Sequence, residues 1–163
     1  VGKRIMIVGG GFGGAYCAQA LERRRYAEPV ETTLVDRNNY FVFYPLLAEA
    51  GTGSLEPRHV VVPIRSFLRP GSFCMAEVTD VDFVRQEVHG RAAVTGEART
   101  FSYDHLVLAP GSVTRLPDIP GLHERGYEMK GLRDAVALRD RAVALLEAAN
   151  AETDPRRREA LLH

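Results

Sequence analysis

The first apolar block is short. Ile5-Met6-Ile7-Val8 is too brief for a helix, is rich in β-branched side chains, and runs into glycines, the pattern of a parallel strand buried on both faces. The run Gly9-Gly10-Gly11-Phe12-Gly13-Gly14 follows, and then Ala15, Ala18 and Leu21 recur at helical spacing. The two alanines are small enough for the predicted helix to lie close on a sheet, and Arg23-Arg24-Arg25 complement the negative end of its dipole. Thr32-Thr33-Leu34-Val35 predicts a second strand, ending at Asp36. The opening therefore reads as strand, glycine turn, helix, strand, acid.

A long connection runs from Asn38 to Pro70 and carries Tyr40-Phe41-Val42-Phe43-Tyr44 and Pro45-Leu46-Leu47. Short alternating runs then predict an antiparallel meander. Its strands are Ser72 to Thr79, Asp80 to Arg85, a pair around Val88 and Ala92 to Val94, and Arg99 to Tyr103. Hairpin turns are expected at His89-Gly90 and Thr95-Gly96-Glu97. Tyr103 to Leu108 predicts one more buried strand, delivered into Ala109-Pro110-Gly111. Beyond it, Leu132, Ala135, Val136, Val143 and Leu146 share the face of an expected amphipathic helix from Lys130 to Ala149, and Asp154-Pro155 starts a short second one.

Composition narrows the classes. The 163 residues are 45% hydrophobic, enough for an ordinary globular core, which removes disorder. Lys+Arg and Asp+Glu are both 21, so no excess charge points to a nucleic-acid partner. Cys17 and Cys74 cannot make a disulfide framework, and the five histidines lack ligand spacing, so no metal site is expected. No apolar run approaches the ~18 residues of a membrane span and no signal-peptide pattern opens the chain, so a reducing compartment is expected.

The glycine hexad carries the chemistry. Gly9 allows the tight turn out of the strand, Gly11 leaves room for a pyrophosphate, and Gly14 lets the helix pack on the strand. Amides at the helix start, with about half a positive charge from the dipole, would face the phosphates. Asp36 stands 22 residues beyond Gly14, where a carboxylate can accept ribose hydroxyl protons. A glycine-rich turn without a ligand is the alternative. The strand before, the helix after and the acid at this distance favour an adenine dinucleotide site.

The hexad, Asp36, the meander and the strand into Ala109-Pro110-Gly111 resemble the FAD-binding part of a two-dinucleotide-binding-domain flavoprotein. Gly51-Thr52-Gly53, Phe43-Tyr44-Pro45-Leu46-Leu47 and Pro63-Ile64-Arg65 make the chain similar to type II NADH dehydrogenases, the single-subunit NADH:quinone oxidoreductases. The fold class implied is α/β: a Rossmann-like parallel sheet with an antiparallel meander, over residues 1–112. Residues 113–163 would be a connecting segment with an amphipathic helix, leading to an NADH-binding domain beyond this chain.

The resemblance also implies roles. Gly9, Gly11, Phe12, Gly13 and Gly14 would contact the FAD pyrophosphate. Asp36 would hold the adenosine ribose with Arg37 beside it. Pro45 and Leu46 would approach the flavin, Val78 would meet the adenine through its backbone, and Ala109, Pro110 and Gly111 would close over the cofactor. Pro110 stands where threonine or leucine is usual, so contacts there would come from the backbone. FAD would be the cofactor, NADH the substrate of the full enzyme and quinone the acceptor.

Hydride and electron transfer belong to the cofactor, so no catalytic residue is assigned. The family's second glycine loop and C-terminal segment are expected beyond residue 163, and the chain alone is expected not to turn over. Location is expected to be cytoplasmic, or peripheral on the cytoplasmic membrane face through that C-terminal part. Phe41, Phe43 and Tyr44 are expected to face the cofactor cleft or the remaining domains, and to favour self-association when those are absent. Residues 37–73 hold no cysteine, against a disulfide reductase. A sulfide:quinone oxidoreductase and a non-catalytic nucleotide-binding module remain alternatives.

Overall fold

The structure, a computed structural model, describes residues 2–69 and 72–162. Pro70, at the end of the long connection, and His163 lie outside them. The strands are β1 (Lys3–Val8), β2 (Val30–Asp36), β3 (Tyr40–Val42), β4 (Val61–Pro63), β5 (Phe73–Asp82), β6 (Glu87–Ala92), β7 (Ala98–Ser102) and β8 (His105–Leu108). The α-helices are α1 (Phe12–Arg23), α2 (Leu47–Gly51), α3 (Leu122–Arg125), α4 (Leu132–Ala151) and α5 (Pro155–Leu162). The chain divides into two compact units, residues 1–41 with 62–113, and residues 42–61 with 114–163. The second unit thus takes 42–61 out of the segment read from sequence as one dinucleotide-binding domain, and the later boundary falls after Val113.

The first unit is a six-stranded sheet in the order β7-β6-β5-β2-β1-β8. β5, β2, β1 and β8 run parallel, and β5, β6 and β7 form the antiparallel meander. This is the expected α/β architecture. β1 is buried on both faces because alternate side chains enter different cores. Ile7 packs with Ala15 and Ala18 of α1, Leu34, Ile64 and Phe73. Met6 and Val8 pack with Val35, Ala76, Val88 and Tyr103 on the other side.

Three expectations are corrected here. The two strands foreseen at Ser72 to Thr79 and Asp80 to Arg85 are one ten-residue strand, β5, with a register shift between Val78 and Asp80. His89-Gly90 is strand interior, not a turn. A Cβ on Gly90 would stand 2.5 Å from the Glu77 carbonyl oxygen, so the glycine serves close backbone approach at the bulge. The reversal is instead at 83–86, where Asp82 Oδ1 accepts the Val84 and Arg85 N–H groups at 2.9 and 2.8 Å and Gln86 takes a φ of 56°. Those backbone N–H groups, Arg85 foremost, hold the Asp82 carboxyl below its ordinary range. The turn at Thr95-Gly96-Glu97 stands as expected, with Gly96 at φ 73°.

The third correction concerns β8. It lies at the sheet edge, so His105 and Leu108 are exposed and the strand is not buried. Its anchor is electrostatic. Asp104 Oδ2 accepts the Arg4 N–H at 2.7 Å, and Oδ1 accepts Arg4 Nη2 at 3.3 Å. The Arg4 guanidinium, then its backbone N–H, holds the Asp104 carboxyl below its ordinary range. A depressed folded value means stability present above the unfolded pKa, about 4, and lost as pH falls through the folded value. Asp104→Asn is therefore expected to lower the urea midpoint at neutral pH and to converge with the parent in strong acid. Equal pH profiles for the two proteins would remove this anchor.

In the second unit, α2 rests on α4 and the segment before it. A Cβ on Gly51 would stand 2.8 Å from Met129 Cε and 3.7 Å from Leu138 Cδ2. Asp134 caps α4, its Oδ2 accepting the Gly131 and Lys130 N–H groups at 2.7 and 2.9 Å, and Asp154 Oδ1 caps α5 through the Arg156 N–H at 2.8 Å. The face of α4 differs from expectation. Ala135 and Ala149 are buried, whereas Val143 and Leu146 are 53% and 59% exposed. At 100° per residue the inward stripe, which also carries half-buried Leu138 and Leu145, is turned by about a quarter of a revolution from the expected one. Among the described residues no helix is long and apolar enough to cross a membrane.

Candidate dinucleotide-binding site

The C-terminal ends of β1, β2 and β8 meet at one edge of the sheet. Val8 is in register with Val35 on one side and Leu108 on the other. Gly9 N–H donates to Val35 O and Ala109 N–H to Val8 O, both at 2.8 Å. The chain must then turn into α1 in very little space, and the glycines divide that task.

Gly9 has a φ of 103°, and a Cβ there would collide with the Ala109 carbonyl oxygen. A Cβ on Gly14 would collide with the Gly9 carbonyl oxygen. On Gly10 it would stand 2.8 Å from Ile64 Cδ1 and 3.1 Å from Asp36 Cβ. Gly9 and Gly14 are required by packing against backbone, whereas at Gly10 the tip of Ile64 would have to shift.

Gly11 is different. Its φ of −74° suits any residue, and a Cβ built on it meets nothing within 4 Å. Gly13 gives only an ordinary contact, 3.6 Å from Ala109 Cβ. Neither the fold nor the backbone demands a glycine at these two positions. Gly11 opens instead onto empty space at the start of α1, where first-turn amides of a helix point outward without helical acceptors. No acidic side chain occupies that turn. A space of this kind, lined by helix-start amides, fits the phosphates of a dinucleotide.

Asp36 closes the other side. Its Oδ2 accepts the Gly10 N–H at 2.6 Å and its Oδ1 the Asn38 N–H at 2.7 Å. The carboxylate therefore fixes the glycine loop to the end of β2, a task not foreseen from its spacing. A carboxylate offers about four acceptor positions, so two remain for hydroxyl donors. Arg37 is exposed beside it, and Phe12 packs edge-on to Phe41 at 4.8 Å between ring centroids. Phe41 is buried in the core with Ile7, Leu34 and Phe73, where it was expected to face the cofactor cleft or the remaining domains; Phe43 and Tyr44 are exposed.

Of the remaining site candidates, Ala109, Pro110 and Gly111 follow β8 directly, and Gly111 has a φ of 75°. Val78 lies three residues further along β5 than Met75, the partner of Asp36, about 10 Å at strand spacing. Pro45 and Leu46 belong to the second unit, in the 3-10 turn Tyr44–Leu46. Ile64 and Asn38 were missed as parts of the loop's support. Ile64 is fully buried and is the middle residue of the Pro63-Ile64-Arg65 block, the one available signal. Among the described residues no cluster of histidine, cysteine and carboxylate side chains could hold a metal ion.

Residues 3–151 match the family model described as pyridine nucleotide-disulphide oxidoreductase. The chain belongs to this family. Among curated relatives of this oxidoreductase chain, demethylphylloquinone reductase NdbB of Synechocystis is 37% identical over 153 residues, 91% of the chain and 37% of the relative. Type II NADH:quinone oxidoreductase Ndh of Mycobacterium tuberculosis is 31% identical over 98% of the chain and 34% of the relative. The solved structure of NDH2 from Plasmodium falciparum in complex with NADH superposes with a TM-score of 0.81 at 26% identity, over 97% of the chain and 32% of that protein. The chain thus spans about a third of the length of these relatives, and its similarity to type II NADH:quinone oxidoreductases runs over nearly its whole extent.

Proposed function

We infer that this chain is the FAD-binding portion of an oxidoreductase that takes a hydride from NADH and passes electrons to quinone. The observation carrying the flavin-site reading is Gly11, a glycine standing where neither sterics nor backbone conformation needs one. The names of the relatives support NADH and quinone as substrates of the whole protein.

Gly11, Phe12, Gly13 and Gly14 would receive the pyrophosphate through backbone amides, with Gly9 holding the turn. Asp36 would take the ribose hydroxyls on its two remaining acceptor positions, with Arg37 beside it. Val78 would offer backbone groups to the adenine, Pro45 and Leu46 would approach the ring system, and Ala109, Pro110 and Gly111 would border the ribityl side. When bound, FAD supplies the two-electron redox chemistry; the protein supplies position and electrostatics. No side chain is assigned as acid or base.

Calorimetric titration with FAD, NADH and ADP tests the reading. FAD is expected to bind in preference to NADH, and Asp36→Ala to weaken it by about tenfold or more, the loss of one charge-assisted pair. Tighter binding of NADH than FAD would overturn the assignment. Supplied with FAD, the 163-residue chain is expected to show no quinone-dependent NADH oxidation above that of free flavin, since the NADH site is proposed to lie outside it.

A further inference from the structure

The other end of α1 carries a second feature, independent of the dinucleotide site and about 18 Å from it along a twelve-residue helix. A cavity of about 360 Å³ opens there, lined by Arg23, Arg24, Arg25 and Arg69 together with Glu22 and Phe67. That is several times the ~30 Å³ share of a water molecule. Four arginines and one glutamate line it in a chain whose net charge is +0, so the concentration is local and not a product of basic composition.

The one carboxylate does not neutralise them. Both Glu22 carboxylate oxygens accept the backbone N–H of Arg69 at 3.1 Å. Arg69 Nη2 donates to the Glu22 main-chain carbonyl at 2.7 Å, which orients its guanidinium without cancelling the charge. Among the described residues Arg4, Arg85, Arg99 and Arg139 form ion pairs with carboxylates, while these four arginines form none. The helix dipole accounts for Arg23 in the last turn, but its end carries only about half a charge and cannot answer four cations. Buried Leu68 holds the segment that delivers Arg69.

We propose that this arginine-lined cavity binds a phosphate group, carried on a small anion or on a lipid headgroup. Planar guanidinium forks match phosphate oxygens two at a time, and a bound dianion would relieve the mutual repulsion of the four.

The test is site-resolved NMR of the 163-residue chain during titration with sodium pyrophosphate, beside sedimentation with phosphatidylcholine vesicles with and without phosphatidylglycerol. The variant is Arg24→Gln with Arg25→Gln, neither side chain being hydrogen-bonded among the described residues; unchanged resonances elsewhere confirm its fold. Saturable shifts at Glu22 to Arg25 and Arg69, weakened about tenfold in the variant, identify a free phosphate compound. Sedimentation only with phosphatidylglycerol, lost in the variant, identifies a lipid headgroup. Glu22→Gln is expected to strengthen whichever response is seen. The proposal fails if neither probe responds at these residues, or if the double variant responds like the parent.

Discussion

Gly14→Ala is expected to cost about 3 kcal/mol or more of folding stability, at the upper end of what overpacking does. The added methyl would coincide with the Gly9 carbonyl oxygen and press on Ile7 Cγ2 at 3.3 Å. Neither can yield easily. The Gly9 N–H is tied to Val35 O, and Ile7 is fully buried between α1 and the sheet. The helix must therefore lift from β1, opening the core formed with Ala15 and Ala18. Total stabilities of domains are about 5–15 kcal/mol, so the variant should be visibly marginal. Urea unfolding measures it: the midpoint should fall sharply with the slope unchanged. A midpoint within experimental error of the parent would mean that α1 does not sit on β1 at this distance.

The second prediction is its opposite, three residues away. Gly11→Ala meets no atom within 4 Å and keeps an ordinary φ, so stability should change by no more than about 1 kcal/mol, the scale of an N-cap preference. FAD affinity should nevertheless fall about a hundredfold, because the methyl would occupy the space proposed for the pyrophosphate and displace it from the helix-start amides. The two variants separate folding from binding within one turn of chain. Unfolding curves and FAD titration on the same preparations provide the comparison. A Gly11→Ala protein that binds FAD as the parent does would reduce the loop to a structural turn. Gly13→Ala should differ from both: its Cβ makes only an ordinary contact and helix interiors favour alanine by about 0.5–1 kcal/mol, so the ligand-free protein should gain stability.

The opening β1, glycine loop, α1, β2 and Asp36 were legible because each is specified locally. A continuous apolar run, small residues at helical spacing and an acid at the strand end need no knowledge of distant chain. The division of labour within the loop was not legible. Gly9 depends on the Ala109 carbonyl and Gly10 on Ile64, both remote in sequence. The double duty of Asp36 was hidden for the same reason, since its spacing reveals the strand end but not the Gly10 amide.

The meander failed differently. Polar Thr79 and Asp80 resemble a break, yet they sit at a bulge that lets β5 continue, and Gly90 resembles a turn because its use is visible only with Glu77 opposite. Edge position likewise cannot be read from the apolar run of β8. On α4 two apolar stripes run side by side, one through Val143 and Leu146 and one through Leu138, Leu145 and Ala149, and only packing decides which turns inward.

The excursion between β3 and β4 has a consequence for how such chains diversify. Phe43 N–H donates to Val60 O at 2.8 Å, so the segment leaves and returns through neighbouring backbone. Closing a loop costs only about 0.6 kcal/mol for each doubling of its length. The exposed residues 52–54 can therefore lengthen or change composition while β2 and β5 keep their register, whereas Leu47, Ala50 and Gly51 are held by burial. Variation there is separated, by one pair of backbone groups, from the packing demands on the glycine turn.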